Sequence, residues 1–231
     1  TGGYKSYRRY CREQLEKPLP LIVLGGYTGS GKTDILHSIM QEGEQCIDLE
    51  GFANHKGSVF GSFGEADQLP NEHFENLLFE KWLSLDPGKP VWVEDESKMI
   101  GNNCLPDELY HKIRSAPVIE VEIDKGIRIR RLVREYTGFS KQMLKDSIHK
   151  IRRRLGGQNA QRAIEALDND DFHTAVDIAL RYYDKAYQHG LDKRDQSTIY
   201  PISLDRDAPR QNARIIIDRA YTFLNLKKEV H

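Results

Sequence analysis

Five short apolar runs alternate with helix-compatible stretches, and the first of them, Leu21-Ile22-Val23-Leu24, leads into Gly26-Tyr27-Thr28-Gly29-Ser30-Gly31-Lys32-Thr33. That turn fits G-x-x-x-x-G-K-[ST] at every position. A third observation is a division of charge that the net value of −1 conceals: residues 65–108 hold eleven acids against three bases, and residues 125–154 hold eleven bases against two acids. Together these predict an α/β fold of the P-loop NTPase-like kind, a three-layer parallel sheet with an inserted or appended basic helical subdomain. The expected division is 1–17 as an N-terminal linker or helix, 18–125 as the P-loop core, 126–195 as the basic helical subdomain, and 196–231 as a final strand and helix completing the core.

Glycines in the loop let the backbone approach an anion closely, so that successive N–H groups point at phosphate oxygens. The loop then opens a helix over 31–40, whose N-terminus also favours negative charge. Gly26, Thr28, Gly29, Ser30, Gly31, Lys32 and Thr33 are the expected phosphate-binding residues. Lys32 offers a point charge to the outer phosphate and Thr33 a hydroxyl for Mg²⁺. A phosphate or diphosphate ligand follows, with ATP or GTP as the usual inference.

With 39% hydrophobic and 30% charged residues, the 231-residue chain can bury a substantial core. No apolar run nears the ~20 residues that a membrane span requires, and the start of the chain lacks a signal peptide's apolar centre. A cytoplasmic protein with no membrane attachment is expected. Cys11, Cys46 and Cys104 are odd in number and far apart, indicating neither a disulfide framework nor a C-x-x-C metal site. The opening Thr1-Gly2-Gly3-Tyr4-Lys5 reads as a linker, and the chain as the C-terminal portion of a longer protein.

In chain order, the aromatic and cationic residues from Tyr4 to Arg12 suit either an RNA-stacking segment or a short helix leading into the domain. A second buried strand is expected over 45–49, delivering Asp48 and Glu50 to the ligand side of the sheet. Residues 51–61 have no sustained period and read as a functional loop, in which His55 is either structural or catalytic. An amphipathic helix is expected over 71–83. Val91-Trp92-Val93 then runs into Glu94, Asp95 and Glu96, a Walker B-like strand end whose acids can hold Mg²⁺. On a strand Glu94 and Glu96 share one face and Asp95 takes the other. A helix over 105–115 and a strand over 118–123 follow.

The basic block begins with Arg128, Arg130, Arg131 and Arg134 on a helix and continues through Lys145, Lys150, Arg152, Arg153 and Arg154 to Gly156-Gly157. Such arginines serve a transferred phosphoryl group, polynucleotide phosphates or only a solvated face. Two further apolar-periodic helices follow. The second carries Tyr182, Tyr183 and Tyr187 as packing or base-stacking aromatics. A last strand over 198–204 and a helix with Ala213, Ile216, Ile217, Ala220 and Tyr221 close the fold.

The chain resembles the tRNA 2-selenouridine synthases. The likeness rests on Gly26 to Thr33, on Asp48-Leu49-Glu50-Gly51-Phe52-Ala53-Asn54-His55-Lys56-Gly57-Ser58-Val59-Phe60-Gly61, on Phe74-Glu75-Asn76 and on Trp92-Val93-Glu94-Asp95-Glu96-Ser97-Lys98-Met99-Ile100-Gly101. It covers the whole chain, most specifically up to Gly101. In the helical block Tyr182-Tyr183-Asp184-Lys185-Ala186-Tyr187 departs from the family's usual Tyr-Tyr-Asp-Pro-Met-Tyr.

The resemblance implies conversion of wobble 2-thiouridine in tRNA to 2-selenouridine, through an S-geranylated intermediate, with geranyl diphosphate and selenophosphate as co-substrates. A rhodanese-like domain or subunit, in cis or in trans, is the implied partner besides tRNA. On this reading the P-loop holds a prenyl diphosphate, and Mg²⁺ joins Thr33 to an acid among Glu94, Asp95 and Glu96. Lys32, Asp48, Glu50 and His55 are the candidate catalytic residues. The tRNA is expected along Arg128, Arg130, Arg131, Arg134, Lys150, Arg152, Arg153 and Arg154. The rival readings are a small-molecule kinase with Asp48 as base and a non-catalytic nucleotide-sensing tRNA-binding module.

Overall fold

Strand β1 (Leu21–Gly26) is buried along its whole length, and its side chains divide by parity: Leu21 and Val23 enter one core, Ile22 and Leu24 another. This is the centre of a three-layer molecule. The computed structural model describes residues 3–226; residues 1–2 and 227–231, the outermost parts of the expected first and last segments, lie outside them.

In order the chain forms α1 (Gly3–Glu16), β1, α2 (Lys32–Gln41), β2 (Gln45–Ile47), α3 (Leu49–Ala53), α4 (Asn71–Leu83), β3 (Val91–Glu94), β4 (Met99–Ile100), β5 (Asn103–Cys104) and α5 (Asp107–Ser115). It continues with β6 (Val118–Ile123), α6 (Lys125–Tyr136), α7 (Lys141–Leu155), α8 (Gly157–Asp168) and α9 (Phe172–Leu191). A 3₁₀ turn (Gln196–Thr198), β7 (Ile199–Leu204) and α10 (Pro209–Phe223) complete it. The main sheet has the order β2-β3-β1-β6-β7 and is parallel throughout. One face is covered by residues of α1, α3, α4 and α5, among them Leu15, Leu49, Phe74, Leu78 and Ile113. Opposite, α2 and α10 supply Ile35, Leu36, Ile39, Ala213, Ile216 and Ala220. The expected parallel α/β sheet of the P-loop kind is thus the fold. Helices α6 to α9 enclose a further core around Ile129, Leu132, Leu144, Ile148, Ala163 and Ala179, joined by Phe60 and Phe63.

Several local expectations change. Strand β2 stops at Ile47 because Asp48 caps a helix, its carboxylate accepting from the Gly51 N–H at 2.7 Å. Residues 51–61 are therefore not loop throughout: α3 occupies their start and ends at Asn54, with φ of 48°. The small antiparallel pair β4–β5 follows the acids of β3. The stretch from Tyr4 to Arg12 lies within α1, which buries Cys11 and Leu15 and leaves Tyr4, Tyr7 and Tyr10 exposed.

Candidate functional site

Parallel register places Leu24 beside Glu94 of β3 and Gly26 beside Val121 of β6, so the acids that follow β3 emerge next to the phosphate loop. Within the loop Gly29 and Gly31 have φ of 81° and 80°, and α2 starts from Gly31. A Cβ on Gly29 would come within 2.9 Å of Leu132 Cδ1, and one on Gly31 within 3.2 Å of Arg131 Nη1. Helix α6 therefore lies directly on the loop. Lys32 Nζ donates to the Gly26 carbonyl at 2.6 Å, which holds the ammonium along the cradle.

Three carboxyls meet the loop from the other side. Thr33 Oγ1 donates to Glu50 Oε2 at 2.6 Å, and the Glu50 N–H donates to Glu94 Oε2 at 3.1 Å. Glu94 is 1% exposed, and its Oε1 has no hydrogen-bond partner among the described residues. Burial, then the neighbouring acids, holds Glu94 well above the usual carboxylate range. Glu50 is also raised, by burial. Glu96 is pushed up to about 8, by burial and by Glu50, with which it shares a hydrogen bond. Asp95 is answered instead by cations: Arg194 Nη2 donates to Oδ1 at 2.5 Å and Arg114 Nη1 at 3.4 Å.

The arginines of α6 divide by height along the helix. Arg128, 5% exposed, pairs bidentately with Asp184 at 2.8 and 2.9 Å, donates to the Thr28 carbonyl at 3.1 Å and lies over the Tyr27 ring. Arg131 bridges Asp34 of α2 and Asp207. Arg134 also pairs with Asp207, at 2.9 Å. From α9, Tyr187 accepts the Gly26 N–H at 2.7 Å, and Tyr183 accepts that of Val59 at 3.1 Å.

A cavity of about 510 Å³ opens over the loop. Lys32, Thr33, Glu50, Glu96, Arg131 and Arg134 make its polar side, and Phe60, Leu132, Tyr136 and Tyr183 its apolar side. The arrangement can hold an anion on N–H groups and cations while presenting carboxyls and a hydrocarbon wall to the rest of the ligand. Oxygen donors from Thr33, Glu50 and Glu96 match Mg²⁺, which takes one or two carboxylates and completes its shell with phosphate oxygens and water. Among the described residues no three His, Cys, Asp or Glu side chains form a metal-binding group by themselves.

The sequence pattern described as the tRNA 2-selenouridine synthase AAA domain matches residues 19–143, more than half of the chain. The chain belongs to the tRNA 2-selenouridine synthase family. A relative of that name from Shewanella sediminis is 34% identical over 235 residues, spanning 86% of this chain and 62% of the relative. One from Serratia proteamaculans is likewise 34% identical over 235 residues, spanning 87% and 61%. The chain thus spans about three fifths of the length of these relatives. Among solved structures, the shikimate kinase of Bacteroides thetaiotaomicron aligns over 89% of this chain and 98% of its own, with 18% identity and a TM-score of 0.47.

In this member of the tRNA 2-selenouridine synthase family the expected site residues separate. Lys32, Thr33, Glu50 and Glu96 line the cavity together with Gly26, Thr28, Gly29 and Gly31. Ser30 is 3% exposed beneath the loop. Glu94 sits under Glu50, and Asp95, though it reaches the cavity, is neutralised by two arginines. Asp48 caps α3 and contacts His37 Nε2 at 2.6 Å, outside the cavity lining. His55 packs against Gly61, also outside it, and burial lowers the imidazole below its usual range. Asp48 thus holds the Gly51 N–H, whereas His55 Nδ1 is buried without a hydrogen-bond partner among the described residues.

Of the arginines expected to meet RNA, Arg128 and Arg131 are paired with acids of the fold. Arg130, Arg134, Lys150, Arg152, Arg153 and Arg154 remain exposed, Arg154 donating to Tyr182 Oη at 3.1 Å. Sequence reasoning missed Asp184, Asp207, Arg114 and Arg194, which bind site residues from far along the chain. Asp184 stands in the segment that resembles the family's Tyr-Tyr-Asp-Pro-Met-Tyr, whereas the other three carry no local signal beyond their charge. Among the described residues no helix is long and apolar enough to cross a membrane.

Proposed function

We propose that this chain is the prenyl-diphosphate and tRNA-binding part of a cytoplasmic transferase acting on the tRNA wobble uridine. It S-geranylates 2-thiouridine from geranyl diphosphate, and the product is converted to 2-selenouridine with selenophosphate. The observation that carries this reading is the two-sided cavity, with phosphate-binding groups on one wall and Phe60, Leu132, Tyr136 and Tyr183 on the other.

In the transfer, the 2-thiouridine sulfur attacks C1 of the geranyl group, and the C1–O bond breaks with its electron pair on the diphosphate. The N3 proton then leaves the modified base. Gly29, Gly31, Lys32 and Arg131 line the cavity, and the diphosphate is assigned to them because fixed donors lower a barrier most where charge accumulates. Mg²⁺ held by Thr33, Glu50 and Glu96 would add charge neutralisation at the leaving group. The exposed Arg130, Lys150, Arg152, Arg153 and Arg154 are assigned to tRNA phosphates, and the selenium step to a rhodanese-like partner in cis or in trans. Against a kinase stands the position of Asp48, its candidate base, outside the cavity.

Lys32→Ala tests the reading. Loss of one such donor typically lowers rate ~10²–10³-fold, so geranyl transfer should nearly vanish while tRNA binding persists. Undiminished transfer in that variant would overturn it.

A further inference from the structure

Helices α6 and α9 carry matched ladders away from the phosphate loop. On α9, Tyr187 at the loop is followed at four-residue steps by Tyr183, Ala179 and Ala175; on α6, Arg128 is followed by Leu132 and Tyr136. Side chains four apart share a helix face, so each ladder bonds to the loop at one end and becomes apolar beyond it.

Between the ladders lies a second, wholly apolar slot, lined also by Leu144 and Ile148 of α7. It adjoins the phosphate cavity directly, since Thr28, Phe60, Leu132, Tyr136 and Tyr183 line both. At 1.5 Å per residue, Ala179 stands on the order of 12 Å along α9 from Tyr187. The slot's free space is about 20 Å³, enough for one water, so a larger group would have to part α7 from α9.

We propose that this slot receives the far end of the hydrocarbon tail of a ligand whose diphosphate lies in the phosphate loop, and that Ala179 and Ile148 set the longest tail accepted. This rests on the prenyl-diphosphate reading and adds to it a specificity-determining pair. Continuity with the phosphate cavity is what selects the occupant: a free apolar ligand would leave the cradle unused, and a nucleotide would bring a base edged with hydrogen-bonding groups to a slot that offers them almost no polar partner.

The test is calorimetric titration, with Mg²⁺ present, of inorganic diphosphate and of dimethylallyl, geranyl and farnesyl diphosphates into the unaltered chain, Ala179→Leu and Ile148→Ala. A methylene in an apolar pocket is worth ~10–200-fold. The unaltered chain should therefore bind geranyl diphosphate at least ~10-fold more tightly than inorganic diphosphate. Ala179→Leu should lose that gain with inorganic diphosphate unaffected, and Ile148→Ala should shift preference toward farnesyl diphosphate. Equal affinity for inorganic and geranyl diphosphate, or an unchanged chain-length order in both variants, overturns the slot and leaves the diphosphate site standing. Failure of inorganic diphosphate itself to bind overturns both.

Discussion

The hydroxyl of Tyr187 accepts a hydrogen bond from the Gly26 N–H at 2.7 Å, tying the phosphate loop to a helix 161 residues further along the chain. The bond is part-buried at the edge of the cavity, and burial pushes the Tyr187 phenol above its usual range. Tyr187→Phe keeps the ring and removes the acceptor. An unsatisfied buried donor costs about 1–3 kcal/mol, so the urea-unfolding free energy should fall by that amount. A fall under ~0.5 kcal/mol would mean that α9 does not hold the loop.

Arg128 and Arg153 should separate in their effects. Breaking one side of a fully buried pair costs about 3–5 kcal/mol; because the Asp184 side chain is 25% exposed, Arg128→Ala should destabilise the chain by less, about 1–3 kcal/mol. Arg153 is exposed, and Arg153→Ala should leave unfolding unchanged within ~0.5 kcal/mol. It should, however, flatten the slope of log tRNA affinity against log salt by ~0.7–0.9, the contribution of one phosphate contact. Titration at several salt concentrations reads the difference.

The acids beside Thr33 set a pH dependence. Glu50, Glu94 and Glu96 are raised in the folded chain, Glu96 to about 8, so folded chain keeps protons that unfolded chain releases. Stability should therefore fall as pH rises from ordinary carboxylate values toward 8, by at most ~1.4 kcal/mol per pH unit for each group. Urea titrations in EDTA from pH 5.5 to 8 measure this, and Glu96→Gln should reduce the slope. A slope that rises with pH and is insensitive to that substitution would contradict the assignment.

What could be read from sequence was whatever has a fixed spacing or period. The phosphate loop is contiguous, β1 is an unbroken apolar run, and α4 and α10 show helical periodicity over many residues. Helix α3 escaped because five residues are too few for a period and Gly51 reads as a breaker, although Asp48 is a good cap. The strands β4 and β5, two residues each, were invisible for the same reason. At the site, Lys32, Thr33 and the acids after β3 were legible because the parallel register alone brings strand ends together. The true partners of the α6 arginines were not. Four-residue spacing on the helix offers Glu135 to Arg131, whereas Arg128 pairs with Asp184 and Arg131 with Asp207, 56 and 76 residues away. Only the packing of α9 and the turn after β7 decides those pairs.

The proposed transfer requires the loop from Gly26 to Thr33 to hold a prenyl diphosphate rather than a nucleotide. Thermal unfolding with geranyl diphosphate, ATP, GTP and inorganic diphosphate, each with Mg²⁺, tests it most directly. A ligand at ~100 times its Kd adds ~2.7 kcal/mol, which for a chain of this size raises Tm by roughly 5–11 °C. At equal concentrations geranyl diphosphate should give the largest shift, ATP and GTP no more than inorganic diphosphate, and Lys32→Ala should abolish all of them. A larger shift with ATP or GTP than with geranyl diphosphate would contradict that requirement.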